Sequence, residues 1–183
     1  MNKERCFWVS DDPVYIDYHD HEWGRPVYDD AKLYEMFLLE TFQAGLSWIT
    51  ILHKRVAFKE AFDDFDVNKV ADYDISKVNQ LMNDPRIIRN RRKIMAAIKN
   101  AQIFLQIQKE FGSFCEYIWH FTDHQIIFCG DNQPVTHNEI SDQVSRDLKK
   151  RGMSFVGSVT IYSYLEAIGV FNNHQKHCFL YHK

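Results

Sequence analysis

The sequence predicts an all-α fold, and three observations carry that prediction. Apolar residues recur at the helical spacing in run after run, the runs open on Asp or Ser and several close on Gly, and the strand-like alternation at 125–128 is too short to organise a sheet. The four prolines, at 13, 26, 85 and 134, punctuate these runs rather than interrupt them.

Taken in order, Asp12 before Pro13 reads as an N-cap followed by proline at the first helical position. This opens a short helix through Tyr15 and Tyr18 towards His19, which Gly24 and Pro26 end. A second helix starts near Asp29 or Asp30 and carries Leu33, Met36, Phe37 and Glu40 on one face, so a carboxylate continues an apolar stripe. Gly45 breaks it, and Ser47 can cap the next helix, on which Trp48, Ile51, Leu52 and Arg55 follow the helical period. The segment AGLSW, 44–48, is the corner between the two.

Asp66 and Asp74 cap two further helices, the second bearing Ile75, Val78, Leu81 and Met82 on one face until NDPRIIRN interrupts it. From 91 to about 110, Ile94, Ile98, Ala101 and Leu105 mark a long amphipathic helix, and Ser113 caps another through Phe114, Ile118 and Phe121. Residues 122–140 read as loop, followed by helices at 141–151, closed by Gly152, and 158–168, closed by Gly169.

With 45% hydrophobic and 26% charged residues, the 183-residue chain can bury a core as one domain or two closely apposed lobes. It holds no apolar stretch of the roughly 20 residues a membrane span needs, and its first residues lack a leader pattern, so we expect a cytoplasmic protein with no membrane partner. Cys6, Cys115, Cys129 and Cys178 are too sparse for a disulfide scaffold. A net charge of −3 excludes a general nucleic-acid coat but leaves room for one local basic face.

That face is present. Residues 74–101 form a helix, a hairpin and a helix, with Arg86, Arg89, Arg91, Arg92 and Lys93 gathered at the hairpin and the start of the second helix. Amides at a helix N-terminus beside guanidiniums can hold phosphate without reading sequence, although a solvated basic face has the same composition. His174 and Cys178, four apart, can share one side of a helical turn as a metal pair does. The other end of the chain offers Cys6 and His19, which would complete a tetrahedral set clipping the termini together, while spacing alone leaves His177 and His182 in contention.

Glu40 on its apolar stripe is a carboxylate that is either paired, with Arg55 as the candidate partner, or functional. Phe7, Trp8, Tyr15, Tyr18, Trp23 and Tyr28 crowd the first 30 residues, which suits a pocket for a flat ligand but equally suits core packing.

The segments RCFWVSDDPVYIDYHDHEWGRPVYDD, LLETFQAGLSWITIL, IIRNRRKIMAAIKNAQ and RGMSFVGSVTIYSYLEAIGVFNNH, with the trailing Cys178, resemble the type I 3-methyladenine DNA glycosylases in order and spacing over nearly the whole chain. That family lies within the helix-hairpin-helix glycosylase superfamily. The resemblance implies one catalytic domain over 1–183, in two helical lobes: a DNA-anchoring hairpin at 74–101, and a terminal lobe from about 1–30 and 155–183. It implies one structural zinc held by Cys6, His19, His174 and Cys178. It makes Glu40 the carboxylate that meets a flipped base, Trp48 and Tyr18 its stacking partners, Tyr15 a polar pocket residue, and Trp8 and Trp23 outer walls.

The expected partner is double-stranded DNA containing alkylated bases, with free 3-methyladenine and an abasic site as products of a monomeric enzyme. Gly45 and Leu46 become the corner that enters the duplex, with Leu46 as its wedge, and Arg86, Arg89 and Arg91 the phosphate contacts. Two departures stand out. Pro85 and Arg86 occupy a hairpin where the superfamily has glycines, so the arginine side chain takes over part of the phosphate contact. The catalytic aspartate and Schiff-base lysine of the wider superfamily are assigned to no residue. The alternatives are a non-enzymatic zinc-clipped DNA-binding module, and a metal phosphohydrolase built on His19 and Asp20.

Overall fold

The computed structural model describes residues 3–129 and 135–181. The centre of the expected 122–140 loop, 130–134 with Pro134, and the chain ends at 1–2 and 182–183 lie outside the described residues. The helices are α1 (Pro13–His21), α2 (Asp30–Gln43), α3 (Trp48–Ala61), α4 (Val67–Ala71), α5 (Ile75–Asn83), α6 (Arg91–Phe111), α7 (Phe114–Trp119), α8 (Glu139–Lys150) and α9 (Ser158–Ala167).

Short polar side chains start most of them. Asp12, Asp29, Asp66, Asp74, Asn90 and Ser113 each accept a backbone N–H of the first turn they cap. Ser47 is the exception: it stands at the N-cap of α3, but its hydroxyl bonds Thr50 Oγ1 at 2.7 Å instead of a backbone amide. Helix α8 starts two residues before the expected Ser141, because Asn138 and Ser141 form a reciprocal capping box.

Helix α2 is the spine. Residues 36–42 are buried without a break, and α3, α6, α7 and α9 all pack on this helix. Phe104 of α6 and Phe114 of α7 stack at 3.9 Å and 10° beside Phe37 and Tyr34, an arrangement worth about 0.5–1.5 kcal/mol beyond its buried area. Asp30, at the start of α2, accepts the Phe114 and Cys115 amides at 2.8 Å and so fastens α2 to the N-terminus of α7.

The expected 122–140 loop carries more order than its composition suggests. A 3₁₀ turn covers His120–Thr122, and β1 (Ile127–Phe128) pairs in parallel with β2 (Phe171–Asn172). This two-residue ladder lays 127–129 along the segment that leaves α9. Gly169, at φ +72°, makes that exit: a Cβ there would lie 2.2 Å from the Arg25 carbonyl carbon, so only glycine lets α9 meet the chain after α1. The Val27 amide donates to Ile168 O at 3.0 Å across the same contact. No helix among the described residues is long and apolar enough to cross a membrane.

Candidate functional site

A cavity of about 1100 Å³ opens between α1, the C-terminal half of α2, the start of α3 and α9. Trp8, Tyr15, Tyr18, Trp23, Glu40 and Trp48 all line it. All six were singled out in the sequence, and the fold brings them together from α1, α2, α3 and the segments flanking α1. The carboxyl of Glu40 is buried, and its Oε2 has no hydrogen-bond partner among the described residues. The indole Nε1 of Trp48 is likewise buried without one. Burial, reinforced by the nearby Glu166 carboxyl, holds the Glu40 pKa well above the usual carboxylate range.

The alternative of a structural Glu40–Arg55 pair is overturned. Arg55 donates to Glu22 at 2.7 and 2.8 Å and to Glu35 at 2.7 Å. Glu22, at the C-cap of α1, and Glu35 of α2 together take up its guanidinium, and Glu40 makes no hydrogen bond with it. Tyr18 and Trp48 stand 5.4 Å apart and tilted by 54°, closer than the roughly 7 Å that a base sandwiched between two stacking partners would need.

Sequence reasoning missed Glu166, Asn173 and Tyr162 on the opposite wall. Asn173 Nδ2 donates to Glu166 Oε1 and, at 2.8 Å, to Tyr162 Oη. Burial lifts the Glu166 pKa to about 7. The signal was available: Glu166 is the one charged residue of α9 and stands four after Tyr162, a lone carboxylate on a helix as Glu40 is on its stripe.

Behind the aromatic wall, Cys6, His19, His174 and Cys178 are all buried, with their donor atoms within 4.8 Å of one another. The Cys178 Sγ to His19 Nε2, Cys178 Sγ to His174 Nδ1 and Cys6 Sγ to His174 Nδ1 separations are 3.5, 3.6 and 3.6 Å. A tetrahedron with metal–sulfur bonds of about 2.3 Å and metal–nitrogen bonds of about 2.05 Å has sulfur–nitrogen edges of about 3.6 Å, so the cluster fits one metal ion with four protein ligands. His19 turns its Nδ1 to Asp20 Oδ1 at 2.8 Å, and Asp20 is held by Arg5 at 2.7 and 2.8 Å, which leaves Nε2 to face the cluster.

Burial lowers the His174 pKa to about 4 and raises that of Cys6 to about 12. The imidazole is thus neutral, as a ligand must be, and a thiolate here needs a cation beside it. Asp20 is committed to Arg5 and His19, which leaves no carboxylate for the phosphohydrolase reading. The cluster also supports the cavity: Trp8 lies 5.3 Å from the His19 ring and Trp23 4.8 Å from that of His174. The termini close over it, with the Phe179 amide donating to Glu4 O at 2.9 Å and the Phe7 amide to Gln175 Oε1 at 2.8 Å.

The corner between α2 and α3 lies at one edge of the cavity, where Gln43 and Trp48 belong to its lining. Gly45 there has φ +80° with open space around it, and Leu46 is 38% exposed. The hairpin at 84–90 carries Arg86 and Arg89, and α6 opens on Arg91, all three on the exposed surface and outside the cavity. Arg86 is engaged by Asp84 at 2.8 and 3.0 Å and by Glu60 at 2.6 Å, and Arg91 reaches Asn79 at 3.1 Å.

The methyladenine glycosylase family matches residues 8–181. DNA-3-methyladenine glycosylase 1 of Escherichia coli (strain K12) is 46% identical, covering 97% of each chain. DNA-3-methyladenine glycosylase of Haemophilus influenzae is 41% identical, covering 95% of this chain and 96% of its own. A solved structure of 3-methyladenine DNA glycosylase I from Staphylococcus aureus superposes with a TM-score of 0.94 at 38% identity, covering 98% of this chain and 97% of that one. A variant 3-methyladenine DNA glycosylase I in complex with 3-methyladenine gives the same TM-score and identity, with 98% of each chain covered. Likeness of this extent, in sequence and in fold together, places the chain in the methyladenine glycosylase family.

Proposed function

We propose that this chain is a monofunctional DNA glycosylase of base excision repair, which turns 3-methyladenine out of alkylated double-stranded DNA and hydrolyses its glycosidic bond. The observation that carries this reading is the buried Glu40 carboxyl, with one oxygen lacking a partner among the described residues, in a cavity walled by aromatic rings. A buried acceptor left without a donor costs about 1–3 kcal/mol, which an incoming ligand can recover by supplying the donor.

Attached to deoxyribose, 3-methyladenine is a cation. Its charge favours the ionised form of Glu40, and cation–π attraction to Trp48 and Tyr18 adds about 1–2 kcal/mol when desolvated. Neutral adenine gains less from both. Tyr15 lends a polar edge, while Trp8 and Trp23 exclude water. Because the base is already a good leaving group, no strong acid is required: water adds to C1′, the C1′–N9 bond breaks with its electrons going to the base, and the water proton passes to solvent. The products are free 3-methyladenine and an abasic site.

Leu46, presented by Gly45, fills the vacated stack, and Arg86, Arg89 and Arg91 hold phosphates. Zinc at Cys6, His19, His174 and Cys178 is structural, since four protein ligands leave no place for water or substrate. The chain acts as a cytoplasmic monomer, one catalytic domain in which a terminal lobe from about 1–30 and 155–183 faces the hairpin at 74–101.

The test is to incubate the protein with methylated duplex DNA, with and without brief exposure to chelator, and to score the bases released. Free 3-methyladenine should appear in both arms, and the same assay reads whether 3-methylguanine follows. No released base would leave a DNA-binding module, and release that stopped at once with chelator would make the metal catalytic.

A further inference from the structure

Lys93 is a buried cation with no part in the excision step proposed for the cavity. It occupies the third position of α6, immediately after the hairpin, and is only 7% exposed. A positive charge there opposes the dipole of its own helix, and burial lowers its pKa, so neither its helix nor solvent accounts for it. Its ammonium leaves α6 altogether. It donates to Phe42 O at 2.7 Å and to Ala44 O at 2.6 Å, carbonyls at the C-terminal end of α2 that have no helical partner of their own. A cation is favourable at that end of a helix.

The same ammonium lies 5.8 Å from the ring of Phe155, a residue at φ +59°. The neighbouring Ser154 is clamped to α6 by two hydrogen bonds with Asn100, at 2.9 and 3.0 Å. Lys93 therefore joins the first turn after the hairpin to the residue that precedes Gly45 and Leu46, across a contact backed by the 154–155 segment.

We infer that Lys93 is a positioning residue that couples the DNA-anchoring hairpin to the Gly45–Leu46 corner, so that seating the hairpin on the backbone sets the depth at which Leu46 enters the duplex. This rests on the reading of the corner as the wedge. The reach is short: two hydrogen bonds fix the end of α2 at Phe42 and Ala44, and one peptide further the chain turns at Gly45 with nothing packed against it. Without the tie, the corner has no other charged contact to α6 among the described residues.

The test is a double-mutant cycle of Lys93→Met and Leu46→Ala, read by single-turnover excision of 3-methyladenine from duplex DNA. Binding of free 3-methyladenine is measured alongside, because it reports the cavity without the duplex. Lys93→Met alone should slow excision about 10- to 100-fold, the effect expected of removing two charge-assisted hydrogen bonds, while free-base affinity stays within about 2-fold of wild type. In the Leu46→Ala background the same change should cost less than about 3-fold, since both act on one step. Lys93→Arg, which keeps donors for both carbonyls, should recover most of the rate.

Losses that multiply, or a free-base affinity that falls with the excision rate, would overturn the coupling and make Lys93 a general brace. If Lys93→Met does not fold, Lys93→Gln, which keeps a neutral NH2 donor without the charge, replaces it in the cycle, with an intermediate loss expected. A Leu46→Ala enzyme as fast as wild type would overturn the wedge and the coupling together. A wild-type protein that released no base at all would instead sink the glycosylase reading itself.

Discussion

The cavity and the hairpin solve opposite problems with opposite chemistry. In the cavity, Glu40 Oε2 and Trp48 Nε1 are buried without partners among the described residues, held by a dense surround of rings and helices. On the hairpin, Arg86 is exposed and already satisfied by Asp84 and Glu60. The cavity therefore holds an indole N–H without an acceptor and a carboxyl without a partner, which selects its ligand strongly, whereas on the proposed reading the hairpin would exchange existing ion pairs for phosphates and gain only the difference. Selectivity belongs to the first region and general affinity to the second.

The largest effect should follow from breaking what holds the cavity wall. Metal analysis should find about one zinc per chain, and the Cys6→Ser, Cys178→Ser double variant should lose it. Because a structural metal binds the folded form alone, the melting temperature should fall by more than about 10 °C, with a change in tryptophan fluorescence as Trp8 and Trp23 lose the imidazoles they pack on. Retention of zinc in the double variant would remove this cluster from the account.

Next in size is the charge inside the cavity. Burial disfavours the charged form of Glu40 when no cation is present, so Glu40→Gln should fold with equal or greater stability. Its single-turnover excision of 3-methyladenine should nonetheless fall about 10- to 1000-fold, the worth of one charged hydrogen bond to a cationic base. An unfolded variant would return Glu40 to a structural role, and an unchanged rate would shift recognition to Trp48 and Tyr18.

Much of this was legible in the sequence because the signals were local. Asp12–Pro13, Asp29 and Ser113 mark helix starts through side chains that reach their own first turn, and Glu40 betrays itself by interrupting a stripe. What stayed hidden was set by packing between distant segments. Nothing in 125–128 announces its ladder with 171–172, since the partner comes after α9. Arg55 was given the wrong partner because Glu22 and Glu35 approach it only once α1 and α2 are in place. Glu166 was overlooked although its pattern matched that of Glu40, and the metal ligands at the two ends of the chain needed the family resemblance to single them out among nine histidines.

On the hairpin the comparison can be sharpened by ranking the arginines. Arg89→Ala and Arg91→Ala should each weaken binding to undamaged duplex about 3- to 10-fold, and each should lower the salt slope by about 0.9, the increment for one phosphate no longer neutralised. Arg86→Ala should cost less than either, because DNA must first displace Asp84 and Glu60 from it. Titrations at several salt concentrations would check the order. A variant that changed which base is excised, with duplex affinity intact, would contradict the division of labour between the two regions.

The smallest effect concerns Glu166, which faces Glu40, Tyr162, Cys129 and the Asn173 amide across the cavity with no cation among them. Its folded pKa of about 7 lies above the ordinary carboxylate value of 4.5. Between these two values the folded protein holds a proton that the unfolded chain has released, so the stability this group lends is complete below about pH 4.5 and is lost as pH rises through about 7. Glu166→Gln keeps an oxygen for Asn173 and removes the titration. Relative to the variant, the wild type should therefore lose stability between pH 5 and pH 8, by of the order of 1–2 kcal/mol or a few degrees in melting temperature, since solvent reaches part of the group. Glu40 feels the Glu166 charge, so part of the difference is read through its titration as well. Melting curves that shift in parallel across this range would show that Glu166 carries its charge throughout, and that the cavity presents two carboxylates to the base instead of one.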